Sequence, residues 1–162
     1  MILNRQLFDL KLKSLREFQQ KYPTSHVGGS IGLSLRGIDL QRDLSSSDLD
    51  ITIDEYEFDS SVNENVRETS HDGDFDLICK VQPNDSKYHV KIEIRICPEP
   101  SFEEIEYEGY SYNVSKLRDI LYWKKKYSRK GFIKHKNDLI TIETGIRPIQ
   151  GDSYIEDDEL PF

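Results

Sequence analysis

The sequence predicts an α+β (α/β) fold, on three observations. Apolar residues recur at three- and four-residue spacing near the start and again in the last third of the chain, as in helices with one buried face. Between these lie stretches in which polar and apolar residues alternate with period two, as in strands with one buried face. Clusters of Gly, Pro, Ser and Asn punctuate the transitions.

In chain order, residues 4–20 place Leu7, Leu10, Leu12, Leu15 and Phe18 at helical spacing, and Tyr22-Pro23 ends that helix. Residues 25–27 form a short strand running into Gly28-Gly29-Ser30, and residues 31–36 a short helix closed by Gly37. The polar, serine-rich 41–47 is a loop. Residues 48–54 (DLDITID) alternate, with Asp48, Asp50, Thr52 and Asp54 on the polar face. Residues 57–73 are polar and read as a helix or long loop, and 75–81 as a strand. Asn84-Asp85 makes a hairpin turn into residues 88–97, where Val90, Ile92, Ile94 and Ile96 share one face and Lys91, Glu93 and Arg95 the other. A tyrosine-rich acidic connection follows Pro98 and Pro100. Residues 115–127 and 134–143 are helices carrying Leu117, Ile120, Leu121 and Trp123, then Leu139, Ile140 and Ile142. Residues 1–145 thus form one domain, with 1–22 its N-terminal helix and 115–145 its C-terminal helical part. An acidic, partly disordered tail is expected at 146–162.

The 162 residues contain 36% hydrophobic and 32% charged residues, enough for one core under a highly charged surface. No apolar run approaches the roughly 20 residues of a membrane span, and no segment has the uninterrupted apolar centre of a signal peptide, so a cytoplasmic location without membrane partners is expected. Cys79 and Cys97 lack metal-site spacing and read as reduced core residues. A net charge of −8 argues against non-specific duplex binding. The charge is uneven: 122–136 is strongly basic, whereas 102–108 and 152–159 are acidic, so a local anionic ligand fits the basic part.

The chemistry-bearing pattern is the pair Asp48 and Asp50. Two carboxylates two residues apart on a strand point the same way, roughly 6–7 Å apart at Cα. Their repulsion is costly unless a cation lies between them, and hard divalent ions prefer carboxylate oxygens while sharing a substrate's phosphates. Gly28-Gly29-Ser30 ahead of a helix offers backbone N–H groups and close backbone approach for such a phosphate. Glu93, on a neighbouring strand, would complete a two-metal arrangement in which one ion activates an attacking oxygen and the other steadies a leaving pyrophosphate.

Gly29-Ser30, then Asp48-Leu49-Asp50, then an acid on a later strand, resembles the signature of the polymerase-beta-type nucleotidyltransferase superfamily. Arg42-Asp43 ahead of Ser47-Asp48-Leu49-Asp50-Ile51 matches its small members. Trp123-Lys124, a basic turn and Lys134-His135-x-x-Asp138 are similar to the C-terminal helices of minimal prokaryotic and phage nucleotidyltransferases. The third acid is Glu where the superfamily more often has Asp, and Asp74-Phe75-Asp76 is a rival for that position.

The resemblance implies a nucleotidyltransferase fold: a mixed β-sheet flanked by helices, with C-terminal helices. It implies transfer of NMP from an NTP substrate to an RNA, protein or small-molecule acceptor, with Mg²⁺, or alternatively Mn²⁺, as cofactor. Asp48, Asp50 and Glu93 would be both metal ligands and catalytic residues. Gly29, Ser30, Arg42, Lys124, Lys134 and His135 would be nucleotide-binding. Small toxin-like members modify tRNA ends or proteins and drug-resistance members modify antibiotics; the basic 122–136 segment favours RNA or protein.

Each element also has a plainer reading. Asp-x-Asp alone is a solvated strand face, Gly-Gly-Ser a turn, and the lysines of 124–130 a solvated helix end. Trp123, Tyr107, Tyr110 and Tyr112 stack a base or pack the core equally well. His26 is read as a strand-edge residue without chemistry, and His135 as structural or exposed. No Gly-Lys-Ser/Thr follows the glycines, and no zinc spacing or nucleophile elbow is present. The alternative function is a catalytically inactive module of the same fold that binds or inhibits a partner through its acidic surface, and a third is a nucleic-acid mimic.

Overall fold

The structure is a computed structural model; it describes residues 2–58, 66–69, 77–81, 88, 90–97 and 101–149, with 66–69 and 77–81 as backbone. Its order is α1 (Arg5–Lys21), β1 (His26–Val27), α2 (Gly29–Leu35), β2 (Leu49–Asp54), β3 (Val66–Thr69), β4 (Leu77–Val81), β5 (Val90–Cys97), β6 (Phe102–Tyr107), β7 (Tyr110–Ser115), α3 (Leu117–Arg129) and α4 (Ile133–Thr144). The strands form one mixed sheet in the order β3-β4-β5-β2-β1-β7-β6. The fold is α+β with helices packed on a mixed sheet.

Asn4 caps α1 by accepting from the Leu7 N–H at 3.1 Å, and Pro23 keeps Tyr22 out of the helical region. The helix buries Phe8, Leu12 and Leu15 in the core with Leu49, Ile51 and Ile53 of β2 and Val90, Ile92 and Ile94 of β5. Arg16 donates to the Tyr112 hydroxyl at 2.7 Å, and the Gln19 amide pairs with the Asn113 backbone in both directions, which fastens α1 to β7.

β2 lies parallel to β5 with Asp50 opposite Glu93, and antiparallel to β1 with Val27 opposite Ile51. Every second residue of β2 from Leu49 is buried, so Asp50 and Thr52 share the polar face that the alternation predicts. β1 joins β2 to β7, to which it runs parallel at Val27–Val114.

Three expectations need correction. The segment read as helix or loop at 57–73 contains β3, an edge strand antiparallel to β4 with an irregular register, too short and polar to show an alternation. The acidic connection after Pro100 is the hairpin β6–β7; its turn, Glu108-Gly109, has φ of 48° and 84° as the tight two-residue hairpin requires. Cys97 is only partly buried, a free thiol at the end of β5, where the strand leaves the core. The helical boundaries shift little, α2 beginning two residues earlier at Gly29. Asp74, Asp76, the Asn84-Asp85 turn, the side chain of Cys79 and the tail from 150 onward lie outside the described residues. Among the described residues no helix is long and apolar enough to cross a membrane.

Candidate functional site

The site begins where β1 meets α2. The Gly28 N–H donates to the Asp50 carbonyl at 2.8 Å, which ties the glycine turn to the middle of β2's polar face. Gly29 has φ +58°, and a Cβ there would overlap Asp50 Oδ2 and lie 3.0 Å from its Cγ. The Asp50 carboxylate therefore rests directly on the Gly29 backbone, a contact that only glycine permits. Gly32 serves the same end one turn later: a Cβ would meet the Val27 carbonyl at 2.9 Å and Ile120 Cδ1 at 3.1 Å, so α2 lies close to both β1 and α3.

Three carboxylates gather beside this turn. Burial, then the charges of Glu93 and Asp48, push the Asp50 carboxyl well above its usual range; burial and Glu93 raise Asp48 as well. Lys91 Nζ lies 2.9 Å from Glu93 Oε1 and 3.5 Å from Asp48 Oδ2. Burial opposes its charge, but the hydrogen bond and charge of Glu93 and then Asp48 raise its pKa overall. The buried Lys11 of α1 donates to the Ser47 carbonyl, anchoring the loop just ahead of Asp48.

On the other side of Ser30 lies a cluster centred on Asp138, whose side chain is 0% exposed. Arg42 grips it with two bonds, Nε to Oδ1 at 2.8 Å and Nη2 to Oδ2 at 2.9 Å. Lys124 Nζ reaches Oδ2 at 2.7 Å, and Arg147 Nη1 reaches Oδ1 at 2.7 Å. Burial opposes ionisation of Asp138, but the Arg42 bonds and the Lys124 charge hold its pKa below the usual carboxylate range. Arg42 Nη2 and Lys124 Nζ also donate to Ser30 Oγ, at 2.6 and 3.2 Å. Three cations around one carboxylate leave a surplus of positive charge directed at the start of α2. Lys124 Nζ is 3.3 Å from His135 Nδ1. His135 stacks on Tyr127, and burial together with the Lys124 charge lowers its pKa to about 2, so the imidazole is neutral.

Between the polar face of β2–β5 and α3 lies a cavity of about 390 Å³, a size suited to a small ligand. Gly29, Asp50, Lys124 and His135 are among the residues that line it. Arg95 lines it too, with its guanidinium 3.3 Å from the centre of the Trp123 ring. His26 also lines it and is 5% exposed, its Nδ1 2.6 Å from Ser115 Oγ and its Nε2 without a hydrogen-bond partner among the described residues. Burial, then Arg95, lowers the His26 pKa to about 4.

The fold thus brings Gly29, Asp50, Lys124 and His135 to one cavity, while Ser30 and Arg42 lie outside its lining and join it through the hydrogen bonds that Lys124 and Arg42 donate to Ser30. Asp48 and Glu93 stand beside Asp50 at Lys91. Lys134 lies at the start of α4, partly buried, outside the residues lining the cavity. Among the described residues no three His, Cys, Asp or Glu side chains are gathered so as to hold a metal ion as they stand. The donor chemistry nonetheless suits a hard divalent cation, since Asp48, Asp50 and Glu93 offer only carboxylate oxygens and repel one another. Sequence reasoning missed the roles of Lys91, Asp138 and Arg147. The signal for Lys91 was present, as it shares a strand face with Glu93; Arg147 gave none. It lies in the expected tail, of which residues 146–149 follow the α4 cap: Arg147 donates to the Leu40 carbonyl, and its N–H to Gln41 Oε1.

No protein-family model, curated protein or solved structure matches this chain.

Proposed function

We propose that this protein is a nucleotidyltransferase of the polymerase-beta type that transfers NMP from an NTP to a hydroxyl-bearing acceptor, RNA or protein in preference to a small molecule. The observation that carries the reading is the seating of Asp50 on the Gly29 backbone, in register with Glu93 and one residue from a Ser30 hydroxyl held by Arg42 and Lys124. That arrangement sets paired carboxylates directly against a positively charged turn, as transfer of a phosphate-linked group requires.

Asp48, Asp50 and Glu93 would hold Mg²⁺ or Mn²⁺, which when bound polarises phosphate oxygens as a Lewis acid. Ser30, Arg42 and Lys124 bind the polyphosphate, with Asp138 holding the two cations in place. Neutral His135 lets the Lys124 ammonium stand beside it without like-charge repulsion. Glu93 accepts the acceptor's proton as its oxygen attacks the α-phosphorus, the α–β phosphoanhydride bond breaks and pyrophosphate leaves. The basic residues of α3 and α4 favour a polyanionic acceptor such as the end of a tRNA.

One observation favours a second reading, an inactive binding or inhibitor module of the same fold: Lys91 and Asp138 already neutralise the groups a metal and a triphosphate would engage. Thermal unfolding of wild type and Asp50→Asn with each NTP, with and without Mg²⁺, separates the two. A Mg²⁺-dependent stabilisation by one nucleotide, about 2.7 kcal/mol at 100 times Kd, that vanishes in Asp50→Asn supports the enzyme. No response to any nucleotide in the folded protein moves the balance to the second reading.

A further inference from the structure

We infer that Lys91 is a built-in counter-ion for the carboxylate cluster, and that a divalent cation enters the site by displacing its ammonium. The inference rests on the metal role given to Asp48, Asp50 and Glu93 above and adds what that role leaves open: what balances these charges before a metal arrives.

Lys91 and Glu93 are two residues apart on β5, so their side chains leave the same face of the sheet. The parallel register sets Asp50 beside Glu93 and Leu49 beside Ile92, which brings Asp48, one step earlier, level with Lys91. The ammonium bridges the two strands, within 4 Å of both Asp48 and Glu93. The neighbouring cation Lys124 is already bound to Asp138 and Ser30. An ammonium and a hard divalent ion seek the same carboxylate oxygens, and like charge prevents both from sitting there together.

Exposure and side-chain type make the displacement feasible. Lys91 is 37% exposed, whereas Glu93 beside it is 17% exposed, so the ammonium is more open to water than the carboxylate it lies closest to. A lysine on a four-carbon stem binds as a mobile point charge; an arginine would lock on with a rigid two-pronged grip. The arrangement keeps the carboxylates converging without a metal and lowers the site's affinity for one.

Isothermal titration of the full chain with Mg²⁺ alone, and separately Mn²⁺ alone, tests this on wild type, Lys91→Met, Lys91→Gln and Asp50→Asn. Both Lys91 variants should bind about tenfold tighter than wild type, the equivalent of about 1.4 kcal/mol. They should also melt lower than wild type in a chelator and regain the difference on adding Mg²⁺. Lys91→Gln keeps the test open if Lys91→Met does not fold without metal. Equal or weaker binding in the variants, with wild-type binding that Asp50→Asn abolishes, overturns the counter-ion role alone. No binding by any form of the protein overturns it together with the metal role of the carboxylates.

Discussion

Replacing Gly29 by Ala tests the contact on which the site is built. Two costs arise, and they separate. The left-handed φ of +58° carries a penalty of about 1–2 kcal/mol for any residue with a Cβ. The new methyl would also overlap the Asp50 carboxylate and lie 3.2 Å from Asp50 Cβ, so rotating the carboxylate away relieves only part of the crowding. Overpacking of this kind costs about 1–3 kcal/mol more. Gly29→Ala should therefore destabilise the wild type by about 2–5 kcal/mol, but an Asp50→Ala protein by less, since only the backbone share and the crowding against the Cβ that alanine keeps would remain. Asp50→Ala alone should be neutral or stabilising, because it removes a carboxylate held against like charge. Urea unfolding of the four proteins reads the coupling directly. If Gly29→Ala costs the same in both backgrounds, to within about 0.5 kcal/mol, the carboxylate does not rest on the glycine and the reasoning fails.

Two further outcomes follow from the buried charges. Asp138→Asn leaves Arg42, Lys124 and Arg147 without their anion and should cost about 3–5 kcal/mol in urea unfolding; a loss under about 1 kcal/mol would show that the cluster relaxes to solvent. His26 titrates at about 4 when folded and near 6.5 when unfolded, so between those pH values only the unfolded chain takes up the proton, and stability falls as pH drops through that window. The full effect is about 3 kcal/mol, so His26→Gln should lose less stability than wild type between pH 7 and 4.5; identical losses would show that His26 is protonated in the folded protein.

What the sequence revealed and what it concealed divide along a physical line. The alternations in β2 and β5 are local, because burying one face of a central strand dictates every second residue; they placed Asp50 and Glu93 on polar faces without further information. β6 was taken for a connection because Glu103, Glu104 and Glu106 crowd its edge and Glu108-Gly109 is not the Asn-Gly that announces a tight turn. Charges on an edge strand are what keeps it from pairing with another chain, so the feature that hid the strand is one a stable edge needs. The Asp138 cluster draws on Ser30, Arg42, Lys124 and Arg147, whose separation in sequence carries no periodic signal. Lys91 lay in plain view on the face of Glu93, but its engagement with Asp48 depends on which strand pairs with which.

The Arg147 contact also sets an order of events during synthesis. A ribosome delivers the chain from its N-terminus, so Arg42 and the glycine turn emerge long before the residues that complete their surroundings. β1 cannot sit between its neighbours until β7 has appeared, since Val27 pairs with Val114. Asp138 then arrives to gather Arg42 and Lys124, and Arg147 follows it. The Asp138 end of the site is therefore the last part to be assembled, and a nascent chain that stalls before residue 147 displays the glycine turn and the paired aspartates without the finished cationic cluster beside them.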